Sequence, residues 1–194
     1  MKIRKCHTLA AVYCGVAITI GMLVAETPAS PSIHFMARTY HLGSFNQKAA
    51  AMWEFVSGSE TVDNWTTLFT VIDRADAHTL PELDRVAEGV KQTYQSHGGQ
   101  VLMAKTMHDA SGAVYDYTVV AFEEPAKRRF EVNFVKAGLG AKNVYVAVYG
   151  VRITDAQDYV GKARTFITQH SGEIGDALAR ETLPDIGKLP RRPF

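Results

Sequence analysis

The stretch from Ala113 to Val151, "AVYDYTVVAFEEPAKRRFEVNFVKAGLGAKNVYVAVYGV", decides the fold. Three runs rich in Val, Tyr and Phe (113–122, 129–136 and 143–151) are broken by "EEPAKR" and "AGLGAK", connectors made of turn-forming residues. A fourth run, "QVLMAKTMH" (100–108), precedes them across "DASG". Parallel partners need a long crossover, so strands joined by loops this short are antiparallel.

Upstream of the meander the period changes. Leu80, Leu83, Ala87, Val90 and Tyr94 recur at helical spacing. Thr79 and Glu82 form a capping box around Pro81, and His97-Gly98-Gly99 supplies the stop. Before this helix lie two more β-patterned runs, "AAAMWEFVS" (49–57) and "NWTTLFTVID" (64–73), with "GSETVD" as their loop. A last helix is expected to open at Thr154 with Gln157 as its capping partner. Its apolar stripe is Tyr159, Val160, Ala163, Phe166 and Ile167, continuing through Ile174, Ala177 and Leu178 towards Pro184. The element order is β-β-α-β-β-β-β-α, an α+β fold with a central antiparallel sheet of about six strands packed with two helices.

Closing each hairpin symmetrically about its turn assigns faces. Val120 then opposes Val132, Val132 opposes Val148, Phe134 opposes Val146 and Val101 opposes Val120, while Lys105 meets Asp116 as a cross-strand ion pair. One face becomes apolar: Val101, Met103, Met107, Val120, Phe122, Phe130, Val132, Phe134, Val144, Val146 and Val148. The other carries Thr106, His108, Tyr115, Tyr117, Glu131, Asn133, Val135, Tyr145, Ala147 and Tyr149. Tyrosines with apolar bodies and polar tips are enriched at interfaces. The candidate ligand- or partner-binding residues are therefore Tyr115, Tyr117, Tyr145, Tyr149, Asn133 and Glu131. The competing expectation is that a helix covers them.

The N-terminus reads as an address. Lys2, Arg4 and Lys5 precede an uncharged apolar run from Thr8 to Ala25, followed by the small residues of "AETPASPS". That is the pattern of a secretory signal peptide over residues 1–29, cleaved after Ala25 or Ala29. The alternative is an uncleaved anchor, since the run is near the ~17 residues that can just span a bilayer. The expected location is periplasmic or secreted, or anchored in the inner membrane and facing the periplasm. Both cysteines, Cys6 and Cys14, fall in this segment, so the exported part has no disulfide and no cysteine-ligated metal. It stands on its core alone, and 165 residues suffice for one domain. That domain spans 30–184, ahead of a basic tail over 185–194.

Three of the 21 basic and one of the 20 acidic side chains leave with residues 1–29, so 18 and 19 remain, a net charge of −1. No basic stripe marks a nucleic-acid surface. The tail "KLPRRPF" is the one local excess, with Lys188, Arg191 and Arg192. Its composition suits a solvated end, with a docking peptide as the alternative.

Catalytic signatures are missing: there is no G-x-S-x-G elbow, H-E-x-x-H pair or EF-hand loop. "AGLGAK" lacks the Gly-Lys-Ser/Thr ending of a phosphate loop and leads into a strand, so it reads as a turn. No cofactor is expected. The exported histidines are His34, His41, His78, His97, His108 and His170. His97 and His108 would make a weak metal site only if they converged with Asp109 at one end of the sheet. His170 reads as a helix-end residue. The serines and threonines of 57–67, beside Asp63, are the other place for a catalytic group.

The junction "GSETVDNW" (58–65), followed by a strand, a helix, a four-strand meander and a long C-terminal helix, resembles the PsbP-like α/β/α sandwich. Small exported bacterial proteins share the E-x-x-x-N-W-T pattern, here Glu60 to Thr66. The resemblance covers most of residues 35–183. It implies a non-enzymatic accessory or binding protein whose partner is an envelope protein or small ligand. Two further readings remain: a periplasmic hydrolase-like or metal-assisted enzyme, and an envelope assembly component tethered by its N-terminus, which alone would bring it to the membrane.

Overall fold

The computed structural model describes residues 31–47, 50–109, 111–154, 158–181 and 186–191. The expected signal peptide lies outside these residues. Eight strands form one antiparallel sheet: β1 (Ser32–Phe35), β2 (Arg38–Gln47), β3 (Ala51–Ser57), β4 (Thr67–Arg74), β5 (Gln100–His108), β6 (Val114–Glu124), β7 (Arg129–Leu139) and β8 (Val144–Thr154). Their spatial order is β1-β2-β3-β4-β8-β7-β6-β5. Helix α1 (Leu80–Ser96) follows β4, and helix α2 (Tyr159–Arg180) follows β8.

The α+β class and the antiparallel sheet are as expected, but the sheet has eight strands instead of about six. The two missed strands are β1 and β2. Their hairpin turns through Met36 and Ala37, both in the left-handed region at φ 47° and 60°. Glycine and asparagine announce such a turn because they take that conformation at little cost. Met-Ala gives no such signal, and the polar, glycine-containing sequence of β2 hides the rest.

Helix α1 has the expected start: Thr79 caps it, and the Glu82 carboxylate accepts the Thr79 N–H at 3.0 Å. Helix α2 starts later than expected. Thr154 ends β8, because Ile153 and Thr154 still pair with Phe130 and Arg129. The cap is Asp158, whose carboxylate accepts the Gly161 N–H at 2.8 Å. The helix then runs unbroken past Gly172, so His170 is no helix end. It stacks on Phe166 with ring centroids 4.8 Å apart.

The two helices cover opposite faces. Leu83, Val86 and Ala87 of α1 pack on Val135, Ala137, Val144, Val146 and Val148. Ile174 and Leu178 of α2 join Tyr117, Phe134 and Tyr149 in the larger core, which extends across β1 to β4 through Phe35, Tyr40, Trp53, Phe55 and Phe69.

Three expected registers differ. Val120 opposes Asn133, and Phe122 opposes Glu131. Val132 and Phe134 oppose Val151 and Tyr149. Val101 does oppose Val120, but Leu102 is the extra residue of a bulge, so Lys105 opposes Tyr117 and Thr106 takes Asp116. The Lys105–Asp116 ion pair is therefore replaced by a Thr106–Asp116 hydrogen bond of 3.0 Å and by Lys105 lying 5.8 Å from the Tyr117 ring centroid. The β6–β7 and β7–β8 slips are each an odd number of residues, so β7 exchanges its faces while β6 and β8 keep a common one.

An alanine at φ 60° costs ~1 kcal/mol or more that glycine avoids, offset by glycine's larger loss of backbone entropy. Ala37→Gly is expected to raise unfolding stability by about 0.5 kcal/mol, read as a higher urea midpoint at unchanged slope. A lower midpoint would mean the turn is not strained.

Candidate binding site

The odd slips divide the six sequence candidates. Tyr115, Tyr117, Tyr145 and Tyr149 share one face, as expected, but it is the face that α2 covers, and their neighbours there are Val132, Phe134 and Lys136. Asn133 and Glu131 lie on the α1 face. Tyr115, Tyr117 and Tyr149 are core residues, exposed 1%, 2% and 6%, and Tyr145 is partly buried. Helix α2 lies on this face. The Tyr117 hydroxyl donates to the Ser171 carbonyl at 3.0 Å, and Gly175 leaves just enough room for the Tyr117 ring.

Lys136 is the group that the tyrosines enclose. It is 3% exposed, and its ammonium donates to the Leu178 and Ala179 carbonyls at 3.0 and 3.3 Å. Those carbonyls end α2, where the helix dipole favours a cation. The rings of Tyr115 and Tyr145 stand 5.1 and 5.8 Å from the nitrogen, within cation–π reach. Burial holds the Lys136 ammonium below its ordinary pKa, while Asp109 and Glu181 pull it back up. The assembly is a clamp that ties the last turn of α2 to the sheet.

On the α1 face, the loop 58–66 folds back and lays Trp65 over Gly150 and Asn133. Trp65 is 6% exposed, although it precedes the strand. It lies on the α1 side, whereas Thr67, Phe69 and Val71 face α2. The Arg152 guanidinium stacks 3.7 Å from the Trp65 ring centroid, pairs with Glu131 at 3.3 Å and reaches the Asp63 carbonyl at 3.4 Å. Asn133 donates to the other Glu131 oxygen at 3.2 Å. Glu60 holds the loop from within by accepting from the Thr66 N–H at 2.9 Å and the Thr66 hydroxyl at 2.5 Å. Burial pushes the Glu60 carboxyl up, but these hydrogen bonds and those from Thr67 and Ser57 prevail and hold it below its ordinary value.

The convergence that a histidine site would need does not occur. His97 caps α1 just before β5 and His108 ends that strand, so the nine-residue strand holds them roughly 25 Å apart. The Asp109 carboxylate closes its own turn, accepting from Ser111 at 2.8 and 2.6 Å and from Ala113 at 3.0 Å. Among the described residues no three His, Cys, Asp or Glu side chains come together as metal ligands.

A recess that sequence reasoning missed lies between the β1–β2 turn and the end of α2. It has a volume of about 310 Å³ and is lined by Phe35, Met36, Ala177, Glu173, Arg180 and Glu181. Its floor is apolar and its rim carries both charges. Burial raises the Glu181 carboxyl, and Lys136 opposes that rise. No sequence signal marks this groove, because its floor comes from a hairpin without turn residues. Compared with models of known protein families and with curated proteins, the chain matches none.

Two measurements test the clusters. Removing the ring in Trp65→Ala is expected to cost ~3–5 kcal/mol, seen as a lower urea midpoint; an unchanged midpoint would mean that Trp65 is not an anchor. Burial raises the hydroxyls of Tyr117 and Tyr149 far above the ordinary 10.0. Their folded pKa values exceed the unfolded ones, so their contribution is intact below pH 10 and is lost as pH rises through the window above it. Each contributes a loss of up to about 1.4 kcal/mol per pH unit there, which Tyr→Phe at either position should flatten.

Proposed function

We propose that this chain is an exported, non-enzymatic accessory or binding protein with a PsbP-like sandwich, and that it takes a ligand or partner segment in the groove at the end of α2. The observation that carries this reading is the lip of the groove. Two consecutive non-glycine residues, Met36 and Ala37, hold left-handed backbone there, at φ 47° and 60°. Backbone strain of this kind persists where the surrounding structure over-determines it, and it clusters at binding sites. Here the turn brings Met36 beside Ala177, with Arg180, Glu173 and Glu181 around them. An apolar floor with a few charged groups suits an amphipathic ligand, one apolar group seated below an ionic or polar end.

The layering supports the same class. Helices cover both faces of an antiparallel sheet, as in the sandwich that the sequence resembles, whose members are mostly accessory or binding proteins. The basic start, apolar run and small-residue exit of residues 1–29 support export. Among the described residues no helix is long and apolar enough to cross a membrane.

The test is native mass spectrometry of protein recovered from the envelope fraction. Wild type is expected to carry an added mass that Ala177→Trp, which fills the groove, removes. The same spectra should show a mature N-terminus at Glu26 or Ser30. An unoccupied wild-type protein, or an added mass that survives Ala177→Trp, overturns the groove; an intact Met1 terminus in that fraction overturns cleavage.

A further inference from the structure

Residues 186–191 of the basic tail are docked. A 3₁₀ turn over Ile186–Lys188 leads into Leu189, which is 6% exposed and part of the core on the α2 face. The Trp53 indole N–H, from the centre of β3, donates to the Pro190 carbonyl at 2.7 Å. Arg191 then pairs with Asp73 of β4 at 3.0 Å, its guanidinium 5.6 Å from the Trp53 ring centroid. Trp53 is fully buried, and the Asp73 side chain is 3% exposed.

A buried carboxylate is costly unless it is paired and hydrogen-bonded. Asp73 is buried near the end of β4, yet its counter-charge comes from the tail. Its other partner is the Asn143 amide, at 2.8 Å. The Trp53 N–H likewise reaches a main-chain carbonyl of the tail. The sheet thus presents three features in order: an apolar seat for Leu189, a donor for the following main-chain carbonyl, and an acidic, aromatic socket for a guanidinium. Together they recognise an extended Leu-Pro-Arg segment, in which the carbonyl fixes register and the arginine supplies charge complementarity. Arg191 is the weak member of the contact, since its side chain remains 45% exposed.

We infer that the Trp53–Asp73 cleft is an arginine-peptide-binding site, closed in cis by Leu189–Arg191 and able to exchange that strap for an arginine-bearing extended segment of a partner protein. The cis tail lowers the apparent affinity for such a segment by competing for the same socket. Weakening the strap without touching the socket therefore raises it.

The experiment uses the full chain and a fluorescent peptide of the tail's own sequence, GKLPRRPF, read by anisotropy. Arg191→Ala is expected to bind the peptide at least about tenfold more tightly than wild type. Adding Asp73→Asn, which keeps the side chain's shape, should abolish that gain, and so should GKLPARPF in place of the peptide. Trp53→Phe, which keeps the ring and removes the donor, provides a second route if the Asp73 variant fails to fold. Equal binding by wild type and a folded Arg191→Ala overturns the inference. So does tight binding that survives both Asp73→Asn and Trp53→Phe, which would place the peptide elsewhere.

Discussion

The pairing of β4 with β8 carries the rest of the structure. Eight residue pairs, from Thr67 opposite Val151 to Arg74 opposite Val144, join a four-strand half to a second four-strand half. The ladder is extended at both ends, by Arg152 N–H to the Thr66 carbonyl at 2.8 Å and by Val144 N–H to the Ala77 carbonyl at 2.7 Å. Those two bonds anchor the loop that carries Trp65 and the segment that leads into α1. Because β4 and β8 are central, both faces of the sheet must be covered there. That is why a chain of this size spends one helix on each side.

Cover on two sides changes the meaning of the polar groups. Lys136 and Asp73 point into packed layers, and each is partnered by a different element: the end of α2 and the C-terminal strap. A buried polar group left unpaired costs more than its hydrogen bond gains. These pairings therefore select one docking of each covering element over others that would bury similar apolar area. Among the described residues no buried side-chain nitrogen or oxygen lacks a partner. The groove beside Met36 and the Trp53 cleft are different in kind. The groove beside Met36 is bounded by strained backbone, whereas the Trp53 cleft is filled by the chain itself.

Much of the fold is legible in residue order. The capping box at Thr79 and Glu82, the bounds of β5 and the continuation of α2 past Gly172 follow from period and caps, which are local interactions. What is lost shares one cause. The Met36–Ala37 turn, the Leu102 bulge and the start of β8 at Val144 are backbone choices that no side chain advertises; the first hides a hairpin, and the other two shift pairing by a residue or more. One odd shift moves every side chain of a strand to the other face. Asn133 and Glu131 were separated from the tyrosines in this way, and the groove went unseen because its lip is the unadvertised turn.

By itself, then, the sequence determined the class of the fold, the antiparallel meander and both helices, all of which depend on neighbours close along the chain. It also placed four tyrosines on one face, since two odd slips cancel between β6 and β8. Only the tertiary structure decided that this face is interior, that Trp65 turns away from the strand it precedes, and that Pro190 and Arg191 lie on Trp53 and Asp73. Each of these depends on which surfaces remain uncovered after the sheet has closed. That is a property of the whole chain in space, with contacts such as Trp53 to Pro190 spanning 137 residues.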